Sequence, residues 1–223
     1  MTLFPDMVRS VLDSSIVGRA QNAGHITVNT YNIRDYTLDK HRRVDDTPYG
    51  GGKGMLMMPQ PVCDCHEAIV KTMPEGAKVR TVYMSPKGKV FTQSKAKELL
   101  SYDAVILLCG HYEGIDQRAL DLIVDEYISV GDYVLTGGEI PACIVVDAVS
   151  RLVDGVLAAP ECYESESLSD GLLEYPQYTR PPVYKGLPVP DVLLSGHHGN
   201  IDKWRREEAQ KTTENLRPDL LGK

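Results

Sequence analysis

The residues best suited to chemistry lie where apolar runs give way to glycine. Residues 105–108 form an unbroken apolar run, as in a strand covered on both faces, and Gly110 and Gly114 then enclose three polar residues that include Glu113. A carboxylate between two glycines at the end of a strand is poorly placed for packing and well placed for a ligand. We therefore take Glu113 as a candidate ligand-binding residue.

A second apolar run, residues 133–135, ends at Gly137 and Gly138 and is predicted to be another strand. Open α/β sheets place ligands beyond the carboxyl ends of their strands, and glycine lets the backbone approach a ligand closely. The two runs together predict one ligand crevice within residues 105–141.

Two further acids leave a second chemistry open. Glu113, Asp116 and Asp132 could form the paired carboxylates of a glycoside hydrolase. Asp116 is equally well placed to cap a helix and Asp132 to lie in a turn, and these structural roles are favoured for both. A carboxylate hydrolase built on Glu113 remains an alternative at this stage.

Two other motifs have plainer interpretations. The glycine-rich residues 50–54 lack the Gly-Lys-Ser/Thr ending of a phosphate-binding loop, so nucleotide binding is not favoured, and a loop that contacts RNA or substrate is at least as reasonable as a flexible surface loop. Cys63, Cys65 and His66 fall within a helical pattern without a second cysteine pair, which favours packing thiols over zinc.

Composition narrows the class of protein. The chain has 223 residues, of which 42% are hydrophobic and 25% charged, enough for one large or two modest domains. Its net charge of −7 argues against a non-specific nucleic-acid coat but leaves room for a specific RNA partner. The sequence shows no membrane-length apolar run or signal peptide, and its five cysteines lack framework spacing, which together predict the cytoplasm.

The elements around the crevice alternate between helix and strand. This order predicts an α/β fold with a mostly parallel sheet. A mobile linker over 158–170 would separate residues 1–157 from a helical C-terminal domain, 171–223. The predicted helices are 5–16, 61–73, 93–102, 116–124, 140–153 and one from about 200. The predicted strands are 26–33, 79–84, 105–109 and 133–135. Residues 35–61 are predicted to be irregular, and residues 85–88 to form a turn.

Five motifs together resemble the bacterial tRNA (guanine-N1)-methyltransferases that modify guanosine 37, members of the SPOUT superfamily. They are HRRVDDTPYGGGKGMLM (41–57), YMSPKG (83–88), CGHYEGIDQR (109–118), VGDYVLTGGEIP (130–141) and GLLEYPQYTRP (171–181), in the family's order over almost the whole chain. The resemblance implies S-adenosylmethionine as methyl donor, tRNA with guanosine at position 37 as substrate, a homodimer, a deep trefoil knot and a dependence on Mg²⁺.

The resemblance also implies a set of site residues. Loop 40–54 and the C-terminal helices would grip tRNA, with Lys203, Arg205 and Arg206 as candidate phosphate contacts. The residues implied for the methyl donor are Tyr83, Ser85, Pro86, Gly110, Tyr112, Glu113, Val130, Gly131, Asp132, Tyr133, Val134, Leu135, Gly137 and Gly138.

The family's catalytic pair corresponds to Arg151 and Glu166. A carboxylate would remove the N1 proton of guanine, and an arginine near guanine O6 would stabilise the developing charge. The family usually has aspartate where this chain has Glu166, and Asp170 is out of register for that role. An RNA-binding relative that has lost catalysis is therefore the alternative.

Two further departures concern His111 and the start of the chain. The family commonly has arginine where His111 stands, so a contact of this side chain with the target base would be weaker or sensitive to pH. The family usually has several more residues of a first strand before Leu3. If this chain follows the family, Met1 would be an internal methionine.

Overall fold

The computed structural model describes residues 1–158, 167–168 and 171–222. The chain divides into two compact units, Met1–Ala158 and Ala159–Lys223. The first unit contains helices α1 Pro5–Leu12, α2 Ser15–Asn22, α3 Pro59–Val70, α4 Gln93–Leu99, α5 Gln117–Ile123 and α6 Glu139–Ser150, a 3-10 turn Ile33–Tyr36, and strands β1 Asp45–Asp46, β2 Leu56–Met57, β3 Val79–Val90, β4 Ala104–Cys109 and β5 Glu126–Ser129.

Three strands form a parallel sheet in the order β4–β3–β5, which confirms the predicted parallel α/β architecture. Strand β3 lies in the centre and extends beyond the predicted 79–84. Its register against β5 shifts between Met84 and Lys89, both of which face Ile128. Residues 85–88, predicted as a turn, therefore leave the ladder as a bulge within β3.

The sheet is covered on both faces, because alternate residues of β3 point to opposite sides. Tyr83 packs into a cluster with Val62 and Leu108 on the face of α3 and α5. Val82 and Met84 pack into a second cluster with residues of α4 and α6. This arrangement leaves the carboxyl ends of the strands as the open edge of the unit.

The predicted strand at 133–135 is wrong. These residues are outside any strand, and Val134 is 84% exposed. The strand at this edge of the sheet is β5, in which Ile128 and Ser129 are buried. The prediction assumed that the apolar run 133–135 was buried. The segment that pairs with β3 is β5, although it contains the charged Glu126.

The N-terminal region also differs from the prediction. The helix predicted over 5–16 is divided into α1 and α2 by Ser15, whose φ is +53°. The strand predicted over 26–33 is not formed, although Thr2 and Asn32 make a single parallel bridge. The amine of Met1 donates to Leu107 O at 2.9 Å.

A groove of about 560 Å³ lies beside this contact, lined by residues 26–31 on one side and by residues 104–107 of β4 on the other. We call it the N-terminal groove. Cys109 N–H donates to Met1 O at 3.0 Å, so Met1 alone pairs with this edge of β4 among the residues that the structure describes.

The second unit contains a β-hairpin, two helices and a final 3-10 turn. Thr213 is fully buried and links its parts: its hydroxyl donates to Ala209 O at 2.7 Å and accepts from Leu173 N–H at 2.8 Å. No helix in the described parts of either unit is long and apolar enough to cross a membrane. The elements are β6 Val183–Tyr184, β7 Leu187–Pro188, α7 Asp191–Leu194, α8 His198–Leu216 and the turn Pro218–Leu221.

Candidate functional site

A cavity of about 380 Å³ lies at the carboxyl ends of β3, β4 and β5. The structure brings together the three loops that the sequence singled out: the β3 bulge, the loop after β4 and the loop after β5. Every residue predicted to bind the donor lines this cavity except Asp132. That these residues bind a methyl donor remains a prediction, and their common location gives it a geometric basis.

The β3 wall is built around Tyr83. Its ring packs edge-on against Tyr127 at 5.4 Å between centroids, and burial raises the pKa of its hydroxyl. A Cβ on Gly110 would lie 2.8 Å from this hydroxyl oxygen. Glycine at position 110 therefore allows the β4 loop to lie directly on the tyrosine. Ser85, in the bulge, is also buried.

The loop after β4 is tied to β2 by its backbone. Glu113 N–H donates to Met55 O at 3.0 Å, and Met57 N–H donates to Gly114 O at 2.9 Å. The Glu113 side chain packs so closely against Gly54 that a Cβ there would collide with it. The last glycine of segment 50–54 thus lies against the acid that lines the cavity.

The loop after β5 forms the third wall. Gly131 has a φ of +149°, and the Tyr133 ring packs onto it, with 2.5 Å between an added Cβ and the ring. Gly138 N–H donates to Gly110 O at 3.0 Å. A Cβ on Gly138 would lie 2.8 Å from the Cα of Cys109, so the two loops contact each other through bare backbone.

The acids considered for hydrolysis are separated by the structure. Asp116 caps α5, as predicted: its carboxylate accepts from Arg118 N–H at 2.9 Å and pairs with the Arg118 guanidinium at 2.8 Å. The side-chain hydrogen bond from Arg118 lowers the pKa of Asp116. Of the three acids, Glu113 alone lines the cavity, so the arrangement lacks a carboxylate pair.

The cysteine motif lies in α3, as predicted. Cys65 is fully buried, and burial raises the pKa of its thiol to about 12. His66 Nε2 is hydrogen-bonded to Thr81 Oγ1 at 2.9 Å. Within the parts of the chain that the structure describes, no three His, Cys, Asp or Glu side chains are grouped so that they could hold a metal ion.

Of the predicted catalytic pair, the structure describes only Arg151, which does not line the cavity. Arg151 is the C-cap of α6, which begins at the cavity and continues for 12 residues, or about 18 Å. Glu166 and Asp170 lie outside the described residues. Lys203, Arg205 and Arg206 lie on α8 of the second unit.

Two residues without a predicted binding role also line the cavity, Lys87 and Gln117. Both lie inside the same motifs as the predicted residues, so membership of a motif was a usable signal. His111, for which the resemblance suggested a contact with the target base, lines the cavity as well. Glu139 is 3% exposed at the first turn of α6. A charged residue following two glycines gives no sequence sign that it will be buried.

The parallel sheet and its glycine-walled cavity define an α/β protein with a small-molecule cavity, and comparison with known proteins gives its class. The chain matches the family model described as tRNA (Guanine-1)-methyltransferase TrmD over residues 1–223. It therefore belongs to this family of tRNA methyltransferases.

Individual relatives agree with the family match. A tRNA (guanine-N(1)-)-methyltransferase of Lachnospira eligens is 58% identical over 99% of this chain and 92% of its own length. Proteins of the same name from Ruminiclostridium cellulolyticum and Clostridioides difficile are 56% and 54% identical over 100% of this chain and 95% and 96% of their own lengths. The resemblance and the predicted enzyme class are confirmed.

Proposed function

We propose that this enzyme transfers a methyl group from S-adenosylmethionine to N1 of guanosine 37 in tRNA. The observation that carries the proposal is the cavity at the strand ends. Three of the motifs that resemble the family, 83–88, 109–118 and 130–141, supply most of its lining.

The cavity suits a small ligand with apolar and polar parts. Its volume of about 380 Å³ is within the usual range for small-molecule sites. Tyr83, Leu135 and Pro141 offer apolar surface for a flat ring, and the backbone at Gly110 and Gly138 can be approached closely because it carries no side chain. These residues would hold the donor.

The chemistry is a single displacement. N1 of guanine attacks the methyl carbon while the bond from that carbon to sulfur breaks, and the sulfur keeps the electron pair. The N1 proton passes to the carboxylate of Glu166, acting as general base. Glutamate has one methylene more than the aspartate usual in the family, which the linker has to accommodate.

Arg151 would stabilise negative charge on guanine O6, but it lies at the far end of α6 from the cavity. An antiparallel two-fold pairing of two α6 helices would place the end of one beside the start of the other. Such a homodimer would bring Arg151 of the partner subunit to this cavity.

The surface of the first unit supports this homodimer. Helices α1 and α6 pack together, and apolar side chains on both remain exposed. Exposed apolar side chains on two helices that pack together are typical of an interface. The residues are Phe4, Met7, Val11, Ile140 and Ile144.

Four further expectations belong to this proposal. The close backbone contact of Gly138 with Cys109 is what a trefoil knot would need where its loops cross. Mg²⁺ would enter with the phosphates of tRNA. The second unit would grip tRNA through α8. The enzyme would act in the cytoplasm, which is consistent with the free thiols at Cys63, Cys65, Cys109 and Cys143.

The test is methylation of tRNA transcripts with labelled donor. A transcript with guanosine at position 37 should become labelled at N1 of that base, and one with adenosine there should not. Equal labelling of both transcripts would contradict the position. Absence of donor binding by calorimetry would contradict the donor.

A second candidate function is a tRNA-binding relative with impaired catalysis. It is favoured by Glu166 and His111, which replace the residues usual in the family. It predicts tight binding of tRNA without methyl incorporation, so the labelled-donor assay separates the two functions.

A further inference from the structure

A buried acid beside the cavity has no part in the chemistry proposed above. Glu139 is 3% exposed, and its Oε1 accepts a hydrogen bond of 2.7 Å from the hydroxyl of Thr2, which is itself 2% exposed. Burying a carboxylate is costly unless it is paired and hydrogen-bonded. The first turn of a helix favours a negative charge, and Glu139 lies there. The hydrogen bond from Thr2 reaches only one of its two carboxylate oxygens.

The second carboxylate oxygen lies against Gly137, one of the residues that line the cavity. A Cβ on Gly137 would lie 2.5 Å from Glu139 Oε2 and 3.1 Å from Nδ1 of His111. Both atoms are therefore within about 3 Å of one point. Nδ1 of His111 is buried and has no hydrogen-bond partner within the described part of the chain, so an unpaired ring nitrogen and a carboxylate oxygen face the same small space.

The imidazole has little freedom to turn away. Phe4 packs edge-on against the His111 ring at 5.0 Å, and Tyr112 does so from another side at 4.9 Å. In the tautomer that carries its proton on Nδ1, a shift of the ring towards Glu139 would let Nδ1–H donate to Oε2, and a hydrogen bond to a carboxylate is stronger than one between neutral groups.

Both loops of the cavity meet at this acid. His111 continues directly from Gly110, whose carbonyl accepts from Gly138 N–H at 3.0 Å. Glu139 follows Gly138 and is anchored from below by Thr2. One carboxylate thus lies between the N-terminal segment, the loop after β4 and the loop after β5.

We infer that Glu139 is a positioning residue of the methyl-donor cavity: its carboxylate, anchored by Thr2, holds the imidazole of His111 and so fixes both glycine loops for donor binding. This inference rests on the proposed function for the identity of the ligand. Glu139 does not contact the transferred methyl, so it sets donor affinity rather than the rate of the chemical step.

Substitution at position 139 tests the role. Glu139→Ala should raise the calorimetric Kd and the KM for S-adenosylmethionine about tenfold or more, while kcat at saturating donor stays within about threefold of wild type. Glu139→Gln keeps an acceptor oxygen for Thr2 but puts an NH2 group where the carboxylate oxygen faced Nδ1–H, so it should recover only part of the donor affinity lost in Glu139→Ala.

A matched control separates positioning from general destabilisation. Cys143 lies one turn further along α6 and is buried among Val8, Leu12 and Val17. Cys143→Ala should lower the melting temperature without changing the donor Kd. An equal loss of donor affinity in Cys143→Ala and Glu139→Ala would overturn the inference.

A readout without ligand keeps the inference distinct from the proposed function. The ¹⁵N signal of His111 Nδ1, assigned with His111→Gln, should shift in Glu139→Ala. If it shifts but wild type binds no donor, the proposed function is wrong and the contact stands. If wild type binds donor while both the signal and the Kd are unchanged in Glu139→Ala, the positioning role is wrong.

Discussion

At the scale of single residues, the cavity depends on positions that cannot carry a side chain. Gly110→Ala should weaken binding of S-adenosylmethionine at least tenfold, because the new Cβ would lie 2.8 Å from the Tyr83 hydroxyl. Tyr83→Phe in the same chain should recover part of the affinity. Gly199→Ala is the control, since a Cβ there would make only ordinary contacts with His197 at 3.8 Å or more, and its donor Kd should equal that of wild type in a calorimetric titration.

The Asp116 cap supports a prediction about pH. The pKa of Asp116 is lowered in the folded protein by its bond to Arg118, so its contribution to stability is present above the unfolded pKa and is lost as the pH falls through the folded pKa. Asp116→Ala should lower the free energy of unfolding by about 1 kcal/mol at pH 7. In urea melts, the difference from wild type should narrow below about pH 4; a constant difference would show that the charge is not involved.

The proposed general base makes a prediction for single-turnover rates. Glu166→Gln should slow methylation by about 100-fold or more, because the amide cannot accept the N1 proton. Glu166→Asp, the residue usual in the family, should retain most of the rate. The donor Kd should be unchanged in both, and a full rate in Glu166→Gln would exclude this residue as the base.

At the scale of elements, the N-terminal groove leaves an edge of β4 open. Leu107 O and Cys109 N–H bond to Met1, and alternate residues of a strand face the same neighbour, so Val105 also presents its backbone groups to the groove. An extension of about five residues before Met1, alternating Val and Thr, should pair there and raise the melting temperature by about 5 °C. A Gly-Ser extension of equal length is the control, and an equal rise with both would contradict strand pairing.

The same elements show what sequence alone could predict. Strand β4 and the Asp116 cap were predictable because their signals are local: an unbroken apolar run and an acid before a helix. Residues 133–135 were wrongly predicted as a strand because their apolar side chains line the cavity instead of packing within the sheet. The identity of β5 depends on pairing with β3, and the contact of Gly138 with Cys109 joins segments 29 positions apart. Neither follows from periodicity.

At the scale of the whole molecule, one helix organises the proposed active site. Helix α6 begins at the cavity wall, carries the exposed Ile140 and Ile144, and is followed directly by its C-cap, Arg151. Because a rigid helix holds its two ends about 18 Å apart, cavity and arginine can meet only if a second copy supplies one of them or the chain rearranges. These two arrangements make different predictions.

Mixing two inactive variants decides between them. Gly110→Val blocks the cavity, and Arg151→Ala removes the arginine; each homodimer should be nearly inactive. If Arg151 serves the cavity of the partner subunit, the heterodimer contains one complete site: the open cavity of the Arg151→Ala chain with the arginine of the other chain. Random mixing makes about half of the dimers mixed, so activity should return to about a quarter of wild type. If both parts must come from one chain, no mixture regains activity. Ile144→Asp, which should disrupt the apolar face, provides the control, because adding it to both chains should abolish the recovery by preventing dimers.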